Sequence, residues 1–86
     1  MKIYKLTERK SKTNRNSSNI YNGLKKIATI TECKISHIGQ WEVIQYPSSL
    51  GYWFPSEEIA KEFLRKSEEN YLSCLGSSIT VVWKEV

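Results

Sequence analysis

Residues 41–76 constrain the fold of this chain most strongly, because they predict two short aromatic strands followed directly by one long helix. Ser56 is a suitable N-cap residue. Glu57 and Glu58 fall in the first helical turn, where the helix dipole favours negative charge. Gly76 is a natural C-terminal stop. This order of elements predicts an α+β fold, and it contains no catalytic or ligand-binding motif.

The predicted helix is amphipathic, with apolar residues on one side and charged residues on the other. The first side consists of Ile59, Ala60, Phe63, Leu64, Ser67, Tyr71, Cys74 and Leu75. One helix can cover only one face of a sheet. The other face must therefore be exposed, or be covered by a partner or by the N-terminal part of the chain.

Alternating or β-branched runs predict strands on both sides of the helix. Four precede it, at 2–6, 26–35, 41–46 and 52–54, and one follows it, at 79–83. The predicted order is β-β-β-β-α-β, a small antiparallel sheet with one long amphipathic helix packed on one face. We expect residues 1–86 to form a single domain, with a polar, basic, flexible loop at about 8–23.

Positive charge is concentrated near the N-terminus. Residues 1–26 contain eight lysines and arginines against one glutamate, whereas residues 27–86 contain five against eight glutamates. Such asymmetry is typical of proteins that bind an anionic partner, and it is equally typical of a solvated tail. The candidate contacts to phosphate are Lys5, Arg9, Lys10, Lys12, Arg15, Lys25 and Lys26.

The reactive side chains do not predict an enzyme. Cys33 and Cys74 are too few for a disulfide framework, and together with His37 they are too few for a zinc site. Cys33 and His37 are four residues apart, but no orienting third group accompanies them. We therefore expect no catalysis, no metal and no cofactor. The N-terminus lacks the apolar region of a signal peptide, which makes the cytoplasm the expected location.

Aromatic residues on the predicted strands are candidates for a binding anchor. Alternation places Tyr52 and Phe54 on one face of the sheet and Trp53 on the other, so one helix cannot cover all three. A large aromatic side chain left exposed is the residue type that dominates protein interfaces. Burial within the fold is the alternative for each of them. We take Tyr46, Tyr52 and Trp53 as candidate partner-binding residues.

Part of the chain resembles a known class of DNA-binding domain. Trp41-Glu42-Val43 in a three-stranded meander and residues 56–60 at the start of the helix resemble the layout of AP2 and integrase-type domains. The resemblance covers about half of the chain and implies DNA contacts from basic residues on the exposed sheet. The meander here contributes Glu32 and Glu42 but only one lysine, Lys34, which differs from that pattern.

These observations predict a small non-enzymatic protein-binding module, a regulator, adaptor or inhibitor, that docks through an exposed sheet face with an aromatic anchor. The alternative is a nucleic-acid-binding protein that contacts phosphates through its basic N-terminal arm. An exposed edge strand could also pair with the same strand of a second copy, so a homodimer is a further possibility.

Overall fold

The computed structural model describes residues 2–13, 16–76 and 78–84, and its regular elements are six strands and one helix. In chain order they are β1 (Lys2–Lys10), β2 (Ser17–Asn22), β3 (Lys25–Glu32), β4 (Trp41–Gln45), β5 (Leu50–Phe54), α1 (Glu57–Ser73) and β6 (Ile79–Trp83). The predicted α+β class is confirmed. Over these described residues, no helix has the length and apolar character needed to cross a membrane.

All six strands form one sheet in the order β5-β4-β3-β2-β1-β6. Neighbours are antiparallel except β1 and β6, which are parallel and pair Lys2 with Ile79 and Tyr4 with Val81. The prediction of an antiparallel sheet is therefore wrong at this edge. The physical reason is the connection: α1 carries the chain from one edge strand, β5, to the other edge, where β6 runs in the same direction as β1.

The prediction of a loop over residues 8–23 is wrong for most of that segment. Strand β1 continues to Lys10, and β2 lies between β1 and β3 in the sheet. The order of elements therefore contains one strand more than predicted. Polar residues are compatible with this strand because Ser18 and Ile20 point inward and are buried, while Asn19 between them lies on the other side.

A two-residue turn joins β2 to β3. Gly23 is the first residue of this turn and has a φ of 66°, a value that glycine adopts without steric cost. Ser56 caps the helix as predicted: its Oγ accepts a hydrogen bond from the backbone N–H of Ile59 at 3.2 Å. Gly76, with a φ of 101°, follows the last helical turn.

The buried core lies between α1 and one side of the sheet. Ala60 and Leu64 of the helix belong to the same buried cluster as Leu6, Ile30 and Val43 of the strands. The other buried apolar residues of that cluster are Ile20, Ile27, Ala28 and Val81. At the β5 end of the sheet, the Phe63 ring of α1 lies 4.8 Å from the ring of Phe54 and 5.1 Å from that of Tyr52, measured between centroids.

An ion pair joins the helix to β1 beside this core. The Lys61 ammonium donates to Glu8 Oε1 at 2.8 Å and lies 3.3 Å from Glu57 Oε1. Burial by itself raises the pKa of the Glu8 carboxyl, but hydrogen bonds from Lys61 and Ser18 and the charge of Lys61 outweigh it, so this pKa is lowered. Burial also disfavours the Lys61 cation, and the contacts with Glu8 and Glu57 outweigh it, so the Lys61 pKa is raised.

A pair of alanine variants tests the assignment of β2 as a strand. Ile20 is fully buried, and we expect Ile20→Ala to lower the free energy of unfolding by about 2–5 kcal/mol through lost burial and a residual cavity. The matched control is Asn19→Ala, on the opposite side of the strand, which we expect to change it by less than about 0.5 kcal/mol. Urea titration followed by tryptophan fluorescence measures both. Equally small effects would mean that this segment is a loop.

The ion pair between Glu8 and Lys61 predicts a pH-dependent contribution to stability. At neutral pH we expect Glu8→Gln to lower the free energy of unfolding by roughly 0.5–1 kcal/mol, since the pair is only partly buried. A carboxyl whose pKa is lowered by folding stabilises the protein at pH values above its pKa in the unfolded chain, usually 4.5. This contribution disappears as the pH falls through the lower pKa of the folded state. The difference between wild type and variant should therefore vanish in acid. Exposed Glu58→Gln is the control, and an undiminished difference at pH 2 would contradict the assignment.

Candidate binding surface

The side of the sheet that faces away from α1 carries no buried side chain among the described residues. The strand registers place one set of residues on this side. We call it the open face, and its members are Ile3, Lys5, Thr7, Arg9, Asn19, Tyr21, Lys26, Thr29, Thr31, Glu42, Ile44, Gly51, Trp53, Thr80 and Val82. Each of them is exposed or half-buried. An antiparallel sheet with one solvated face is stable in this form, so the open face is accessible without rearrangement.

Basic side chains lie against aromatic rings on the open face. The Arg9 guanidinium carbon is 5.4 Å from the centroid of the Tyr21 ring, and Lys26 Nζ is 5.2 Å from that of Tyr46. Both distances are typical of cation–π contacts. With Lys5, which is also exposed, these side chains place three positive charges on this face, whereas Glu42 is negative.

An exposed apolar cluster lies at the opposite end of the open face. Trp53 is 44% exposed, and the His37 ring stacks on it with centroids 4.7 Å apart. The loop that joins β3 to β4 also exposes two large apolar residues, Ile35 at 93% and Ile38 at 75%. Ile35 and Trp53 line the same depression, whose volume is about 340 Å³. We call Ile35, His37, Ile38 and Trp53 the Trp53 cluster.

The three predicted partner-binding residues do not share one surface. Trp53 lies on the open face, as alternation predicts, whereas Tyr52 lies on the helix side against Phe63. Tyr46 is 37% exposed and stands beside Lys26 at the end of β4. Tyr46 also lines a separate cavity of about 240 Å³ between the β3–β4 region and the second half of α1, together with Lys25 and Tyr71.

The predicted basic arm is not one contiguous segment outside the fold. Lys5, Arg9 and Lys26 are on the open face, while Lys10 forms an ion pair with Glu8 at 3.5 Å. Lys12 lies in the connection between β1 and β2. Lys25 lines the cavity beside the helix, and Arg15 lies outside the described residues. The reason for this division is the alternation of side chains along a strand, which sends neighbouring residues to opposite faces.

Sequence reasoning missed Tyr21 as a surface residue because it assigned no strand to that segment. Asn22-Gly23, between two runs that contain apolar residues, is the signal that could have located it, since such a pair is typical of hairpin turns. Once β2 is recognised, its register with β1 places Tyr21 opposite Thr7. Ile44 is a similar case, because only the register of β4 places it on the open face.

The side chains that could support catalysis or metal binding are dispersed. Cys33 is half-buried, Cys74 is exposed, and neither forms a disulfide. The imidazole of His37 stacks on the indole of Trp53. Across residues 2–13, 16–76 and 78–84, no group of three or more His, Cys, Asp or Glu side chains could hold a metal ion.

Comparisons with protein-family models, with curated proteins and with solved structures find no match for this chain. The layout that resembles AP2 and integrase-type domains corresponds to β3, β4, β5 and α1. Strands β1, β2 and β6 extend that meander to six strands. Strand β1 adds Lys5 and Arg9 to the face that already carries Lys26 of β3 and Trp53 of β5.

Proposed function

We propose that this protein is a non-enzymatic binding module that docks a protein partner through the sheet face that the helix does not contact. The observation that carries the proposal is the Trp53 cluster, in which exposed Trp53 and Ile35 line one depression. His37, next to exposed Ile38 in the chain, stacks on the indole. Tryptophan is enriched among the residues that contribute most to protein interfaces. A scattered exposed apolar residue needs no explanation, but neighbouring ones are typical of interaction sites.

The contact between His37 and Trp53 supports the same proposal. Stacking at 4.7 Å restricts the indole, so less side-chain entropy is lost when a partner binds it. The depression of about 340 Å³ beside the indole offers space for an apolar side chain of the partner. Lys34 and Glu32, paired at 3.1 Å, are charged residues at its margin, as is usual for the rim of an interface.

Affinity purification with two variants, Trp53→Ala and the control Tyr71→Ala, tests this proposal. Trp53→Ala removes the central side chain of the cluster, and we expect it to weaken partner binding at least roughly 30-fold, the effect of losing a dominant interface residue. Tyr71→Ala is the control, because Tyr71 is 58% exposed and lies on the helix. Proteins recovered from the source cells with wild type and with Tyr71→Ala, but not with Trp53→Ala, are the expected result.

The recovered partner is then titrated against purified protein. Binding should change the fluorescence emission of Trp53. Ile35→Ser should weaken partner binding, but by a smaller factor than Trp53→Ala. If Trp53→Ala retains the same set of proteins at the same yield, the proposal is wrong, provided that its far-ultraviolet circular dichroism and melting temperature match those of wild type.

A second candidate function is binding of single-stranded nucleic acid, which the cation–aromatic pairs of the open face favour. Nonspecific single-strand binding combines positive charges along the backbone with aromatic rings on which bases stack. Arg9 beside Tyr21 on the open face and Lys26 beside Tyr46 at the end of β4 provide both kinds of contact. The strands of a sheet lie about 4.8 Å apart, so β1 to β4 span about 14 Å, enough for two or three nucleotides.

Salt dependence of oligonucleotide binding tests this second function. With three phosphates neutralised by Lys5, Arg9 and Lys26, log K should fall with log salt at a slope of about −2. Lys26→Gln should reduce the slope by about 0.7, whereas Lys66→Gln, on the exposed side of the helix, should leave it unchanged. Fluorescence anisotropy with a labelled 12-nucleotide single strand, measured over a range of salt concentrations, gives the slope for wild type and for each variant. No binding at low salt, or equal effects of the two variants, would exclude this function.

A further inference from the structure

The two edge strands of the sheet differ in how their outer backbone groups are satisfied. On β6, the backbone N–H of Val81 donates to Glu69 Oε2 at 2.9 Å, and its carbonyl accepts from Arg65 Nη1 at 3.1 Å. The same two helix residues pair with each other at 3.1 Å. The helix therefore blocks this edge, because an added strand would have to displace both side chains.

The outer edge of β5 exposes the backbone groups of Gly51 and Trp53. Tyr46 N–H donates to the carbonyl of Ile27, and Cys33 N–H donates to that of Gln40. These bonds mean that Val43 and Gln45 direct their backbone groups away from β3 and towards β5. Their partners on β5 are Tyr52 and Leu50, so the intervening residues, Gly51 and Trp53, point outward.

The composition of β5 does not protect this edge. Natural edge strands are usually blunted by lysine, by an inward charge or by a bulge. Strand β5 reads Leu50-Gly51-Tyr52-Trp53-Phe54, without a charge, and Leu50, Tyr52 and Trp53 are 56%, 39% and 44% exposed. Of the two edges, this one has both free backbone groups and apolar side chains.

We infer that β5 pairs in antiparallel orientation with β5 of a second copy, with the twofold axis at Tyr52. In this register Gly51 lies opposite Trp53 of the second copy, and Trp53 lies opposite Gly51 of the second copy. Both are hydrogen-bonded pairs, so all the outward backbone groups of Gly51 and Trp53 are satisfied by four hydrogen bonds. A register centred on either of those residues would satisfy fewer of them.

Side chains are compatible with the same register. Gly51 and Trp53 lie on the open face, so the indole of one copy covers the glycine of the other, a cross-strand arrangement that stabilises a glycine in a sheet. On the helix side, Tyr52 meets Tyr52 of the second copy, and Leu50 meets Phe54. The pairing would join the two sheets into one of twelve strands and extend both open faces as a continuous surface.

The expected dimer is weak and depends on concentration, because a single strand pair buries much less than the roughly 1,200 Å² of a stable interface. Sedimentation equilibrium between about 10 µM and 1 mM should therefore reveal a monomer–dimer equilibrium in that range. A monomer at every concentration would overturn the inference.

A lysine at the glycine position is the variant that separates dimer formation from folding. A Cβ atom at Gly51 would meet Glu42 Oε2 at 3.7 Å and Ile44 Cγ1 at 3.9 Å, which are ordinary contacts, so the isolated chain accepts the side chain. In the dimer the lysine occupies the space of the indole of the second copy. Gly51→Lys should raise the dissociation constant at least roughly tenfold, and Ser73→Lys, with the same added charge at the exposed end of the helix, should not. A dimer unaffected by Gly51→Lys uses another surface and refutes the proposed pairing.

Disulfide formation tests the register. In a Cys33→Ser and Cys74→Ser background, Tyr52→Cys places two thiols opposite each other in a non-hydrogen-bonded pair, with Cα atoms about 4.5 Å apart, a separation that a disulfide spans. Leu50→Cys is the control, because Leu50 faces Phe54 of the second copy. Under mild oxidation the first variant should form a covalent dimer much faster than the second. Equal rates would refute the register.

Discussion

Helix α1 lies across one face of the sheet, and the remaining features of the structure depend on this placement. Phe63 in the middle of its 17 residues contacts Phe54 of β5, and Arg65 contacts Val81 of β6, so both edges of the sheet approach the same stretch of the helix. Ala60 and Leu64 enter the core, Lys61 pairs with Glu8 of β1, and Arg65 holds the carbonyl of Val81 on β6. Because the helix carries the chain to the far edge, β6 pairs with β1 in parallel.

Coverage of one face leaves the other accessible, and the strand registers decide what that face presents. Arg9 and Tyr21 come from the two strands nearest the parallel edge, and Trp53 comes from the opposite edge. The resulting surface is cationic and aromatic near β1 and β2, where Ile3 and Val82 also lie, and has the Trp53 cluster at the β5 edge. Its two ends suit different chemistry, a phosphate backbone with stacked bases or an apolar protein surface, and that difference separates the two candidate functions.

Most of the strand and helix pattern could be predicted from the sequence, but the second half of β1 and the whole of β2 could not. The Ser56 cap is a contact with nearby Ile59, and the apolar spacing from Ala60 to Leu64 is a periodicity within one helix. Both signals are local, although Ala60 and Leu64 pack against distant strands. Strand β2 has only one local signal, the Asn22-Gly23 pair, because its stability comes from pairing with β1 and β3 on both sides rather than from its own composition. Polar residues such as Asn19 can occupy a strand whose outer face is solvated.

The open face shows the same difference between what local sequence predicts and what long-range pairing determines. Alternation along β5 already places Tyr52 and Trp53 on opposite faces, because it requires no knowledge of the rest of the chain. The folded sheet, in contrast, brings Arg9 and Lys26 to the same face as Trp53 and directs Lys10 towards Glu8. That outcome depends on the pairing of strands far apart in the chain, and register between distant strands is a property of the whole sheet.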